Sequence, residues 1–162
     1  MAVRNCAEIG ENLQYAVKRL LANQTLLKLL YYTDKDPLAN PDLTKEEIQK
    51  EVFNKLIKIV PRVGPKENVR SIVVIRVVKA MPNMNSEFNN IEISVEVFVP
   101  LTQWVMKGTN LRPFAILGEV QKSLNDKKIN GLGRMHSKSF NLQFLTEEIG
   151  CYEQVYELTS YD

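Results

Sequence analysis

Catalytic vocabulary is scarce in this chain. Its 162 residues include one histidine, two cysteines and one tryptophan. His136 alone cannot make a two-histidine metal site. Cys6 and Cys151 stand far apart in sequence, outside any CxxC cluster, so zinc ligation has no support. Two thiols in a chain of this length read as reduced, cytosolic residues rather than a disulfide framework. Glycine is too sparse for a phosphate cradle. "GLGR" at Gly131 lacks a third glycine and a preceding strand, "GPKENVRS" at Gly64 lacks P-loop spacing, and both read as turns. Ser137 and Ser139 follow His136 closely, but near neighbours in sequence rarely converge into a triad, and a lone histidine in such a segment is ordinarily a surface residue. No apolar run is long enough to span a bilayer. Arg4, Glu8 and Glu11 break up the N-terminal stretch, so a signal peptide is not expected. The sequence therefore nominates no catalytic, cofactor-binding or metal-ligating residue. It predicts a protein that is not an enzyme, has no cofactor and is made in a cytoplasm.

What is present is an ordinary globular composition. Apolar residues make up 44% and charged residues 25%, which predicts one soluble domain over 1–162, with a helical part at about 1–60 and a sheet with its packing helix at about 68–162. The net charge of +2 is too small to argue for nucleic-acid binding by itself, but the charge is unevenly spread. Lys58 to Lys79 carries six basic residues against Glu67, and Lys122 to Lys138 carries five against Asp126. After Lys138 come only Glu147, Glu148, Glu153, Glu157 and Asp162. Such segregation suits either pairing between neighbouring copies or solvated faces balanced within one subunit.

The periodicity predicts the order ααββαββ, an α+β fold with an antiparallel sheet of about four strands packed by helices. Ile9, Leu13, Ala16, Val17, Leu20, Leu21, Leu27 and Leu30 make one amphipathic stripe. A second helix is predicted from Thr44, where Thr44 and Glu47 match a capping box and Leu43 and Ile48 a staple. Its stripe is Ile48, Val52, Leu56 and Ile59, and Pro61 stops it. "VRSIVVIRVVKA" and "NNIEISVEVFVP" read as a hairpin with a long loop, Met81 to Asn90, in which Met81, Met84 and Phe88 are contact candidates. Trp104 and Met106 follow as further candidates. Pro113, Ile116, Leu117, Val120 and Leu124 predict a helix opened by proline, with Gly118 set for close packing on the sheet. "FNLQF" and "CYEQVYEL" close the chain as a hairpin, with Tyr152 and Tyr156 on one face and Val155 on the other.

The strand Asn89 to Pro100 alternates Ile91, Ile93, Val95, Val97 and Val99 with Glu92, Ser94, Glu96 and Phe98, one dry face and one wet one. Glu92 and Glu96 lie roughly 13 Å apart along that face. That is too far for paired acid/base carboxylates. Arg70 and Arg76 share a strand face with Ile72, Val74 and Val78, which makes a weak nucleic-acid platform.

Three segments carry a family resemblance: "IEISVEVFVP", "RPFAILGEVQKSLNDKKINGLGRM" and "FNLQFLTEEIGCYEQVYEL". With Pro113, Asn130, Gly131, Gly133, Gly150 and Tyr152 at the matching places, the second half of the chain resembles the tail terminator, or tail completion, proteins of tailed bacteriophages. The first half matches in layout only. "YYTDKDPL", Tyr31 to Leu38, is similar to phage neck proteins, and the long connection between the helices leaves a head–tail connector role open. The resemblance implies a structural virion protein, a hexameric ring that ends the tail tube and joins it to the neck, with double-stranded DNA passing unread through the lumen. It implies tail tube protein, possibly sheath, and a neck or head-closure protein as partners, and no membrane. Within such a ring Glu92 and Glu96 are the candidate lumen residues, since cationic walls would hold phosphate. Met81, Met84, Phe88, Trp104, Met106, Lys127, Lys128, Arg134, Glu153 and Glu157 are the candidate interface residues. The alternative is a nucleic-acid-binding accessory factor, or a small enzyme, using the basic cluster Lys122–Lys138 together with Arg70, Arg76 and His136.

Overall fold

The computed structural model describes residues 5–59, 70–82, 84, 88–129 and 133–159. The chain is α+β; among the described residues, four α-helices lie on one curled, mixed sheet of six strands in the order β1-β2-β3-β6-β5-β4. Two of the six strands, β1 (Ile57–Lys58) and β4 (Lys128–Ile129), are two residues long. The four long strands are the predicted ones: β2 (Ile72–Pro82), β3 (Phe88–Pro100), β5 (Gly133–Leu145) and β6 (Ile149–Thr159). They pair antiparallel throughout, and β1 joins β2 in parallel.

The first predicted helix is broken in two. α1 (Cys6–Leu21) and α2 (Gln24–Tyr31) meet at a corner where Asn23 caps α2 by accepting the Leu26 N–H at 3.1 Å. The Asn23 amide also donates to Glu119 Oε2 and Ser123 Oγ, each at 3.0 Å, which pins the corner to α4 (Arg112–Leu124). An asparagine with a local acceptor favours a cap over a helix interior, so the stripe is shared by two helices. The predicted capping box at Thr44 forms, but α3 (Lys45–Glu47) runs straight into a π-helical turn, Ile48–Val52, and ends there. Leu56 therefore lies outside a helix, and Ile57 pairs with Val73 as β1. Val52 and Leu56 are buried all the same, so the apolar spacing correctly marked the core while misjudging the backbone.

The hairpin β2–β3 runs further than expected. Met81 pairs with Asn90 and Pro82 with Phe88, so only residues 83–87 connect the strands. At the other end β5 begins at Gly133, and "GRMHSKS", expected as a connection, is strand. Its polar residues have little strand preference of their own, and pairing with β6 decides the matter. The Asn130–Gly131 turn lies outside the described residues.

One core joins both layers. Leu13, Val17, Leu20, Leu27 and Leu30 from α1 and α2 cluster with Ile116, Val120 and Leu124 of α4 and with Val73, Ile75, Ile93, Val95, Val97 and Tyr156 of the sheet. The proline-led α4 stripe is buried as predicted. Gly118 has a different role from the one expected, since a Cβ there would meet nothing within 4 Å. Gly150 is the packing glycine: a Cβ on it would stand 2.5 and 2.7 Å from the Trp104 ring.

Candidate functional site

The sheet face away from the helices is a charge ladder. β3 and β6 set carboxylates directly opposite each other, Glu92 against Glu157 and Glu96 against Glu153. Like charges so placed repel. The flanking strands supply the compensation. Arg76 of β2 pairs with Glu96, Lys138 of β5 with Glu92 at 2.5 Å, and the Gln143 amide donates to Glu153. Burial holds the Glu96 carboxyl above its usual value despite Arg76, with Glu153 adding to the rise. The hydrogen bond from Lys138 holds Glu92 below its usual value. The face expected to be wet is therefore largely covered, with Ser94, Glu96 and Phe98 buried. Glu92 and Glu96 are already matched to cations within the subunit, so neither presents a bare carboxylate of the kind that a channel wall needs.

A second feature lies at the lower end of β5. Its outer side is covered only near its start: β4 pairs with Gly133 and Arg134, the Met135 N–H donates to Lys127 O, and the Ser137 N–H donates to Asn125 Oδ1. Beyond that, among the described residues, no strand pairs with its outer side. This stretch carries Phe140, Leu142, Phe144 and Leu145, exposed by 58, 53, 43 and 60%. Phe140 and Leu142 share a face with Tyr152 and continue into a cluster of rings around it, with Phe114 at 5.1 Å, Trp104 at 6.1 Å and Phe140 at 6.4 Å between centroids, whereas Phe144, opposite Cys151 after a bulge, packs on the other face against Phe98 at 5.7 Å. Exposed Val105 and Leu111 extend the cluster. A long apolar edge with unpaired backbone is a template for strand addition, and a contiguous apolar patch of this kind is what protein interfaces are made from.

The nominated residues fall in different places. Met81 and Met84 are exposed, but Met81 belongs to β2 rather than to a loop. Phe88 starts β3, and its side chain lies outside the described part. Trp104 is half-buried against Gly150 and Tyr152. Met106 is buried in the subunit's own core, which corrects its nomination as a contact residue. Lys127, Lys128 and Arg134 are exposed and close together, and Lys128 stands opposite Arg134 across the β4–β5 pair. Glu153 and Glu157 belong to the ladder rather than to an open acidic end. His136 sits 3.1 Å from Asp126 on the exposed surface. Among the described residues no group of three His, Cys, Asp or Glu is placed to hold a metal ion, and no helix is long and apolar enough to cross a membrane. Reasoning from sequence missed the apolar run Phe140, Leu142, Phe144, Leu145 as a surface. Its alternation was legible, but not the fact that both faces and one edge would stay open.

Comparison with family models matches residues 23–158 to YomW. The chain belongs to the YomW family. YomW is a phage-derived family of the SPbeta-like prophage yom group. The match begins at the cap of α2 and ends one residue before the end of β6, so it takes in the sheet but for that last residue, and the packing helix α4. The sequence resemblance pointed to a phage protein, and phage derivation is what YomW membership establishes. A search of curated proteins finds no match.

Proposed function

We propose that this chain is a structural protein of a phage particle, forming a ring at the head–tail junction that ends the tail tube and joins it to the neck. The observation that carries this reading is the open apolar edge of β5 with its aromatic patch, in a member of a phage-derived family. Such a surface costs solubility if left bare, and it gains most by being covered in an assembly. The part works by fitting, without a reaction or cofactor. Its neighbours are further copies in a ring, hexameric as the sequence resemblance implies, with tail tube protein, possibly sheath, and a neck or head-closure protein. DNA passes through the lumen without its sequence being read. Antibody labelling of particles in the electron microscope tests this. Label at the head–tail junction is the expected result, and particles without label overturn it.

A second reading has one specific observation in its favour. Lys128 and Arg134 face each other across a strand pair, and Arg19 reaches from α1 to donate to Lys128 O at 3.3 Å. Clustered cations suit phosphate. A gel shift on duplex DNA at low salt, repeated at rising salt, tests it. This reading requires a retarded band that fades as salt rises.

A further inference from the structure

We infer that the free chain forms a two-fold dimer in which the open stretch of β5 pairs antiparallel with the same stretch of a second copy, with Phe140 beside Leu142 of that copy and Asn141 on the axis. This goes beyond the proposed particle role and does not rest on it. It names what covers the apolar edge when the chain is on its own.

The outer side of β5 is open where its backbone is regular. Bulges fall at Lys138 and Gln143, and both side chains turn to the charge ladder, Lys138 to Glu92 and Gln143 to Glu153. Residues 139–142 between them run without a break. Their outward groups follow from the register. The Met135 and Ser137 N–H groups point away from β6, and these residues stand opposite Leu158 and Tyr156. Phe140 and Leu142 stand opposite Gln154 and Tyr152, the next steps of the same alternation along β6, so their N–H and C=O groups point outward too. Among the described residues nothing pairs with those groups. Residues 130–132 and 160–162, outside the described part, join β5 and β6 at Gly133 and Thr159, at the other end of the edge.

The outward groups set the register between copies. Phe140 of one copy and Leu142 of the other exchange both of their N–H···O bonds, and the reciprocal pair does the same across the axis. Asn141 faces its own equal between them, in a pair without backbone bonds, where side chains come closest. The axis stands perpendicular to the sheet, so equal faces adjoin. On the helix side, Phe140 and Leu142, backed by Tyr152 and Phe114, meet the same patch of the other copy, and both patches leave water together. Ser137 ends the pairing on each side, because its N–H is already held by Asn125.

The order of charge along β5 selects a second copy, and an antiparallel one. Lys127 and Arg134 stand at its start, apolar residues fill its middle, and Glu147 and Glu148 follow its end. An antiparallel copy runs this order backwards. In the stated register the turn at 146–148 of each copy comes level with Arg134 and Met135 of the other, beside Lys127, whose carbonyl accepts the Met135 N–H. Asp126 and His136, 3.1 Å apart, stand there too, and Lys128 opposite Arg134 keeps the balance basic. A parallel copy would set like charge against like at both ends. A two-fold contact is complete at two copies, so the pair keeps the edge covered in the free chain, and assembly into a ring requires the pair to open.

Analytical ultracentrifugation of the purified chain over a range of concentrations tests the pair. The expected result is a monomer that passes to a species of twice its mass and no larger. Leu142→Lys puts a charge on the edge, and Leu142→Pro removes an N–H that β6 does not use. Each is expected to leave a monomer, with circular dichroism melts showing that it folds. If the proline variant does not fold, the lysine variant decides. Cross-linking in a Cys6→Ser background, where the remaining Cys151 is buried, checks the register. Asn141→Cys is expected to link two copies on mild oxidation, while Ser139→Cys stays monomeric, because it stands about 13 Å from its equal across the axis. Glu147→Lys with Glu148→Lys is expected to raise the concentration at which the dimer forms, and adding Lys127→Glu to lower it again. A monomer at every concentration overturns the proposal. So does a dimer that survives both Leu142 variants, equal linking at Ser139 and Asn141, or multimers larger than the dimer. The particle role is read separately, from label at the head–tail junction. Label there with a monomeric free chain leaves that role standing and sinks the pair, and a dimer with unlabelled particles does the reverse.

Discussion

Arg112 is the residue on which the helical layer most depends. It is fully buried, yet its guanidinium faces carbonyls rather than a carboxylate, donating to Gln103 O at 3.0 Å, to Leu29 O and Tyr32 O at 2.7 Å, and to Asp34 O at 2.5 Å. Leu29, Tyr32 and Asp34 mark the C-terminal end of α2, where unsatisfied carbonyls gather and a cation is favoured. Burial lowers the basicity of Arg112, and the nearby Asp34 charge opposes that. Arg112→Met strips four bonds from backbone carbonyls, those of buried Gln103 and Leu29 among them, and leaves a buried site without its donor, so we expect a loss of about 3–5 kcal/mol in urea denaturation. Arg76 predicts a pH effect. Glu96 has a folded-state value above its unfolded one, so its contribution is full below the unfolded value and fades as pH rises through the folded value. Arg76→Met removes the cation that offsets this. The variant is therefore expected to lose about 1–3 kcal/mol at pH 7, discounted because Arg76 is partly exposed, and to lose less at pH 5. An equal loss at both values would separate Arg76 from Glu96. The thiols differ as sharply. Burial, with Glu96 and Glu153 nearby, pushes Cys151 up to about 12, whereas Cys6 is exposed. Native protein at pH 8 should yield one thiol to a colorimetric reagent, and the second only in denaturant.

At the scale of elements, the contact between Gly150 and Trp104 joins the start of β6 to the segment that leads into α4. Gly150→Ala puts a methyl group into the Trp104 ring and is expected to cost about 1–3 kcal/mol. The cost should shrink in a Trp104→Leu background, because the two changes share one contact. A cost unchanged by the smaller side chain would mean that Leu145, whose Cδ1 would stand 3.3 Å from the methyl, and not the ring, resists it. Elements with strong local signals were legible in the sequence: the β2–β3 hairpin from its β-branched run, α4 from Pro113 and its stripe, and the α3 start from its capping box. Those decided by tertiary pairing were not. Nothing local separates Leu56 in a helix from Leu56 leading into a parallel β1, since its burial is the same either way. Polar "GRMHSKS" becomes strand only because β6 lies beside it. The candidate site was read in part. Glu92 and Glu96 were correctly placed together on one face, but the cations that neutralise them come from β2 and β5, and cross-strand partners far apart in sequence leave no spacing to read.

The whole molecule has a core that does not stop at the boundary between its helical and sheet halves. Residues from α1, α2, α4 and the four long strands fall in one buried cluster, and buried Arg112 ties the end of α2 to the start of α4 and to Gln103. Neither layer retains its apolar face if the other leaves, so partial unfolding would expose most of the buried surface at once. A single cooperative unit is therefore expected. Trp104 makes this measurable, because it sits half-buried where the sheet meets the segment before α4, and it is the only tryptophan. Its fluorescence reports on the junction, while far-ultraviolet circular dichroism is weighted toward the helices. Urea transitions followed by the two probes should coincide in midpoint and slope for dilute protein. An earlier loss of helix signal would separate the helical layer from the sheet as parts of different stability. It would also leave the open β5 edge on a unit that assembles without its helices.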